Sequence, residues 1–212
     1  MRVAWITIFL TTLVWSGVNP KDYLTWALEV SPAVIAFIVL AVTYRRFPLT
    51  PILYALILVH CIVLMVGGHY TYADVPLFEP SDSGLGFERN NFDKLGHFLQ
   101  GFVPALVARE ILIRKAIVAS TAWRNFFIVC FCLAFSALYE LIEWAAAVVS
   151  DTAAEAFLGT QGYVWDTQSD MAYALVGAVA ALALLGRLHD RQIRDMLSVT
   201  KGLVLTQKGP NG

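Results

Sequence analysis

Three short stretches of an otherwise apolar chain carry groups suited to acid–base or metal chemistry. They are Asp93-Lys94-Leu95-Gly96-His97-Phe98, Glu140-Leu141-Ile142-Glu143-Trp144 and Trp165-Asp166-Thr167-Gln168-Ser169-Asp170-Met171. In each the polar spacing is helical. Asp93 and His97 are four apart, Asp166 and Asp170 are four apart, and Glu140 and Glu143 are three apart, so each pair shares one helix face. Imidazole with carboxylates is ligand chemistry for a borderline divalent ion such as zinc or manganese. His97, Asp93, Asp166 and Asp170 are therefore the candidate metal ligands. A carboxyl in a water-poor site can also act as a general base, a role that falls to Glu140 or Glu143. His69, Tyr70, Lys94, Gln168 and Glu29 are the candidate supporting groups.

Each motif also has a plainer reading. Asp93 and Asp166 stand where a helix N-terminus would welcome a capping carboxylate. Lys94 can salt-bridge or snorkel, and His97 can be a hydrogen-bonded packing residue. Glu140 and Glu143 lie too far from a helix start to cap, which leaves a structural hydrogen-bond network as their alternative. His60 and His189 read as incidental, and Arg109 with Glu110 reads as a pair snorkelling at the inner end of a helix. Cys61, Cys130 and Cys132 all fall in apolar runs, form no Cys-x-x-Cys, and read as packing residues.

The elements that must position these groups are membrane-spanning helices. Of 212 residues, 58% are hydrophobic and only 15% charged, with a mean hydropathy of +0.65. A soluble domain carries nearer a quarter charged residues. Apolar runs approaching twenty residues recur at 3–18, 23–44, 49–69, 93–113, 125–149 and 166–186, joined on one side by a long connection, 70–92. The expected fold is an all-α, polytopic membrane helix bundle with about six spans. Residues 1–186 form one transmembrane domain and 187–212 a basic tail, loose towards its end. The first run is short, but Asn19-Pro20 leads straight into the second, as in a helical hairpin, and no Ala-x-Ala cleavage site follows. The connection 70–92, with Pro76, Pro80, Gly84 and Gly86, is either a cap over a site or a connector.

Basic residues orient the bundle. With the N-terminus inside, twelve of the fifteen Lys and Arg fall on the inner side, and only Lys21, Arg89 and Lys94 on the outer. Both termini are then cytoplasmic. In that frame the fourth and sixth spans enter from outside and the fifth exits there. His97 and Asp170 lie roughly 6 Å below the outer boundary and Glu140 and Glu143 roughly 9–13 Å, so all three motifs meet in one layer. Below them run small residues, Gly101 and Ala108 on the fourth span and Ala174, Gly177 and Ala181 on the sixth, which is the pattern of helix contact in membranes. The ionisable groups should face inward.

The stretches Gly68-His69-Tyr70-Thr71-Tyr72, Asp93 to Phe98, Glu140 to Trp144 and Trp165 to Met171 resemble the YjdF-type family of bacterial inner-membrane proteins. The resemblance implies a multi-pass inner-membrane protein and brings no established activity. The last three helices are more distantly similar to VanZ-like proteins, which also open a helix with Asp-Lys-x-x-His-Phe. This chain departs from that pattern at Glu143, where Gln is usual, at Ala174, where Asn is expected, and in lacking the Arg expected before the last acidic pair.

The expected function is an outer-leaflet site that binds a cation or acts on a lipid-related substrate. If it is an enzyme, it is a metal-dependent hydrolase or transferase. The alternatives are a proton- or cation-coupled transporter, to which homo-oligomerisation could supply a path, and a non-catalytic accessory protein. No His-Glu-x-x-His, Gly-x-Ser-x-Gly or basic nucleic-acid-binding stripe occurs.

Overall fold

A computed structural model describes residues 2–78, 89–149 and 161–207. Among these the chain is all-helical: α1 (Arg2–Gly17), α2 (Tyr23–Thr43), α3 (Pro51–Tyr70), α4 (Phe92–Arg114), α5 (Thr121–Val149) and α6 (Asp166–Gln207), with a 3-10 turn at Pro76–Phe78. By length and apolarity α2, α3, α5 and the Asp166–Ser198 part of α6 can cross a membrane. With only 16 residues, α1 reaches about 24 Å, short of the ~30 Å hydrocarbon core. Large apolar side chains such as Phe127, Phe131, Leu138 and Trp144 stay exposed on α5, which fits a bundle solvated by lipid.

Local chemistry sets the helix ends. Asp22 caps α2 by accepting from the Thr25 backbone N–H at 2.7 Å, and that bond holds its carboxyl below its ordinary value. Pro32 inside α2 lacks an N–H for the carbonyl of Leu28, and the Ser31 hydroxyl donates to that oxygen at 2.8 Å. Thr71 ends α3 in the left-handed region at φ 61°, with the N–H of Tyr72 returning to the Gly67 carbonyl at 2.9 Å.

The hub of the bundle is α4, which packs on α3, α5 and α6. This explains how a helix with Asp93, Lys94, Arg109, Glu110 and Arg114 belongs in a membrane: its polar groups face protein. Its tightest partner is α6. A Cβ on Gly101 would collide with the backbone of Ala174, and one on Gly177 with the carbonyl of Phe98. Ala174, Ala178 and Ala181 have no exposed surface. The small-residue stripes therefore let two backbones touch, and this brings the motifs of α4 and α6 into contact.

The sixth helix runs past Gly186. α6 continues to Gln207, and Gln192 accepts the N–H of Ile52 at 3.0 Å. The tail is held to the bundle at Gln192 because that side chain supplies the missing partner for the start of α3; residues 208–212 lie outside the described residues. In the 70–92 connection, residues 79–88 also lie outside, so its reading as cap or connector stays open there. Its described ends fold onto the bundle. Asn90 donates to the Val75 carbonyl at 2.9 Å and exchanges hydrogen bonds with Gln161.

Candidate functional site

The site forms where the first turns of α4 and α6 meet the last turns of α5, and α2 closes one side. The ammonium of Lys94 lies 2.6 Å from Asp170 Oδ1, 2.8 Å from Asp166 Oδ1 and 3.6 Å from Asp93 Oδ2. Arg89 donates to the same Asp166 oxygen at 2.8 Å. Asp166 is thus an ion-pair partner rather than a simple cap. Both cations also stand over the ring of Tyr163.

His97 is the centre of the second half. Its Nδ1 is 3.1 Å from Gln100 Oε1 and 3.8 Å from Glu140 Oε1. Its Nε2 is 3.3 Å from Asp93 Oδ1 and 3.9 Å from Asp170 Oδ2. One ligand atom from each of Asp93, His97 and Asp170 lies within 4.8 Å of the others. Beside them is a cavity of about 40 Å³ lined by Glu29, His60, Tyr72, Tyr139 and Glu143 as well as His97 and Asp93. That is space for a few water-sized occupants. Tyr139 donates to Glu29 Oε2 at 2.9 Å, which ties α5 to α2 across the cavity. Glu140 Oε1 and His60 Nε2 are buried without a hydrogen-bond partner among the described residues, a condition that usually marks the place of water or an ion.

Most of the residues singled out by sequence thus come together: Asp93, Lys94, His97, Glu140, Asp166 and Asp170 in one contact network, with Glu29 and Glu143 on the adjoining cavity. Three do not. His69 turns to α1, where its Nδ1 meets the Ser16 carbonyl at 3.0 Å and its ring lies 4.6 Å from Trp15. Tyr70 packs against the same pair, and Gln168 is exposed. Arg89, Gln100, Tyr72 and Tyr139 were not anticipated. His60, read as incidental, lines the cavity.

The opposite end of the bundle holds a second polar cluster, where only snorkelling was expected. Glu110 has no exposed surface. It accepts from the Thr50 hydroxyl at 2.8 Å, from the Thr50 N–H at 3.2 Å and from Arg114 at 2.7 Å, and it lies 2.9 Å from His189 Nε2. Arg109 binds Asp190 at 2.8 Å. The i, i+4 spacing of Glu110 and Arg114 was legible, but the distant partners Thr50 and His189 were not.

Comparison with known proteins places this chain in a family. Residues 1–191 match the family described as "Predicted membrane protein (DUF2238)". The chain belongs to it. Inner membrane protein YjdF of Escherichia coli (strain K12) is 53% identical over 188 residues, covering 89% of this chain and 90% of that protein. No solved structure matches. Membership makes this a membrane protein of a family whose description names no activity, so the reading of the site rests on its own chemistry.

Proposed function

We propose that this is a multi-pass inner-membrane protein that binds a small divalent cation at the outer end of its bundle. His97 Nε2 and the carboxylates of Asp93 and Asp170 serve as ligands. The observation that carries the reading is the convergence of those three groups within 4.8 Å from two helices that touch backbone to backbone. Gln100 supports it, because a metal-bound imidazole commonly donates its other N–H to a fixed oxygen, and Gln100 Oε1 lies 3.1 Å from Nδ1.

Charge balance points the same way. Glu29, Asp93, Glu140, Glu143, Asp166 and Asp170 bring six carboxyls to one layer, against Arg89, Lys94 and, when protonated, His97. Protons or a bound cation must supply the remainder in a low-dielectric setting. Asp166, bonded to both Arg89 and Lys94, acts in this reading as a neutralising and positioning group rather than a ligand. One nitrogen and carboxylate oxygens suit zinc or manganese. Glu140, 3.8 Å from His97, and Glu143, on the cavity wall, are placed to take a proton from water. That would serve an enzyme acting on a lipid-related substrate that enters between α2 and α5, where Pro32 and Phe135 form the wall. A cavity of about 40 Å³ favours the cation over the bulk of such a substrate.

The test is elemental analysis and calorimetric titration of zinc and manganese on detergent-purified protein, with His97→Ala and Asp170→Asn beside wild type. About one ion per chain in wild type, lost in both variants while helix content persists, is the expected result. A wild-type protein that neither retains nor takes up either ion would end the proposal.

A further inference from the structure

We infer that the crevice between α1 and α2, at the arginine-rich end of the bundle, is a binding site for one anionic phospholipid. This is independent of the cation site, which lies at the other end.

The two helices touch through side chains near the top and at mid-height, and the hollow lies below those contacts. Near the top, Trp26 Nε1 donates to the Ser16 hydroxyl at 3.1 Å, and Gly17 gives way to the Trp26 ring. At mid-height Phe9 and Phe37 stack at 4.8 Å. Below that pair a hollow of about 470 Å³ opens, walled by Trp5, Phe37, Leu40 and Ala41 and bordered by Arg2 and Arg45. Its size lies within the usual range of ligand pockets, about 300–1,000 Å³. Its wall is apolar in fact as well as in name, because the indole N–H of Trp5 is consumed by the Tyr54 carbonyl at 2.7 Å.

The mouth has the opposite character. Arg2 stands over the Tyr44 ring at 4.3 Å, which fixes its guanidinium beside the residue that precedes Arg45. Among the described residues no carboxylate forms an ion pair with Arg2 or Arg45. An apolar slot long enough for part of an acyl chain, with two uncompensated guanidiniums at headgroup level, matches one ligand chemistry: a phosphate ester carrying a hydrocarbon tail. Basic pockets between transmembrane helices hold anionic lipid headgroups in this way, and arginine suits phosphate through paired N–H donors. A zwitterionic lipid would fill the slot equally well but would gain less from the two arginines.

The experiment is native mass spectrometry of the full chain in mixed micelles containing equal phosphatidylglycerol and phosphatidylcholine of identical acyl chains. One phosphatidylglycerol should bind with a preference on the order of tenfold. Arg2→Gln/Arg45→Gln should abolish the preference, and Arg2→Lys/Arg45→Lys should largely keep it. Arg187→Gln/Arg191→Gln, which removes the same charge from the same end outside the crevice, should leave it unchanged. Ala41→Trp, filling the slot, should remove binding of both lipids, with circular dichroism confirming an intact bundle. Equal binding of the two lipids by wild type overturns the proposal. So does an unchanged preference in Arg2→Gln/Arg45→Gln, or an equal loss in the control pair. Displacement of the lipid by millimolar inorganic phosphate would mark a simple anion site and would also overturn it.

Discussion

Lys94 reaches Asp170 at 2.6 Å, an ammonium from the first turn of α4 bonded to a carboxylate on α6 with almost no exposure on either side. Taking two charges out of water is costly, and removing one partner leaves the other buried and unpaired. Lys94→Met should therefore destabilise the protein by about 3–5 kcal/mol. Lys94→Met/Asp170→Asn should recover part of the loss, although Asp166 would still lack one donor. Thermal unfolding in detergent, followed by helix content, reads both. A Lys94→Met protein as stable as wild type would mean the pair is solvated and the site more open than its geometry.

The α4–α6 seam should be intolerant of bulk. Gly101→Val and Gly177→Val each drive a side chain into the facing backbone, at a cost of about 1–3 kcal/mol or more. Because the seam also sets the spacing of His97 and Asp170, cation uptake should fall with stability in these variants. Gly186→Val is the control, since nothing lies within 4 Å of a Cβ there; it should leave both unchanged. Unfolding midpoints and metal content, measured on the same preparations, separate the cases.

The inner cluster should act as a clamp. Glu110 joins the start of α3 through Thr50, its own helix through Arg114, and α6 through His189. Glu110→Ala removes the acceptor shared by Thr50, Arg114 and His189, of which Arg114 keeps the Pro48 carbonyl, and should cost about 3–5 kcal/mol. His189→Ala should cost less, because Thr50 and Arg114 still serve the carboxylate. A double-mutant cycle over Glu110 and His189 should give a coupling energy of about 0.5–3 kcal/mol. Limited proteolysis of α6 should quicken in both variants.

Much of the helical layout was legible because hydropathy and the period of 3.6 act locally: the α4 and α6 motifs share faces simply through i, i+4 spacing. What escaped depended on distant partners or on helix rotation. Leu53, Ile57, Cys61 and Met65 make a buried stripe on α3, and its next member is His69. A stripe of spacing four drifts roughly 40° per step, so by His69 it faces Ser16 of α1 rather than the acids of α4. Tyr72 sits in a left-handed turn, outside any periodic pattern, yet its ring fills the notches at Gly67 and Gly96 and walls the cavity. Glu110 and His189 could not be paired from sequence, because nothing local links a residue on α4 to one three residues past the expected end of the last span.

Asp22 gives a pH signature outside the membrane. Its carboxyl is held below its ordinary value by the Thr25 N–H, so the folded state binds the proton less tightly than the unfolded chain. The capping contribution is then complete above the unfolded value near 3.9 and is lost as pH falls through the lower folded value. Asp22→Ala should cost about 0.5–2 kcal/mol at neutral pH and converge with wild type in acid. Asp22→Asn should keep most of the cap and lose its pH dependence. Thermal midpoints between pH 7 and pH 3 decide this.

Orientation is the last expectation, and it follows from charge and helix number together. The six crossings expected from the sequence would return the chain to the side on which it began; among the described residues one end of the bundle holds Arg2, Arg45, Arg46, Arg114, Lys115, Arg124, Arg187, Arg191 and Arg194, while Lys21, Arg89 and Lys94 lie at the other end. Basic residues in short connections are retained in the cytoplasm, so both termini should be cytoplasmic and the His97 site should open towards the periplasm. A green fluorescent protein fused after Gly212 should fluoresce, and alkaline phosphatase fused there should be inactive. A cysteine at the exposed Lys21, introduced into a variant lacking the three native cysteines, should react with a membrane-impermeant maleimide in intact cells, whereas one at Arg187 should react only after the membrane is opened. The reverse labelling pattern would place the cation site on the cytoplasmic face, where it would draw on a different pool of metal.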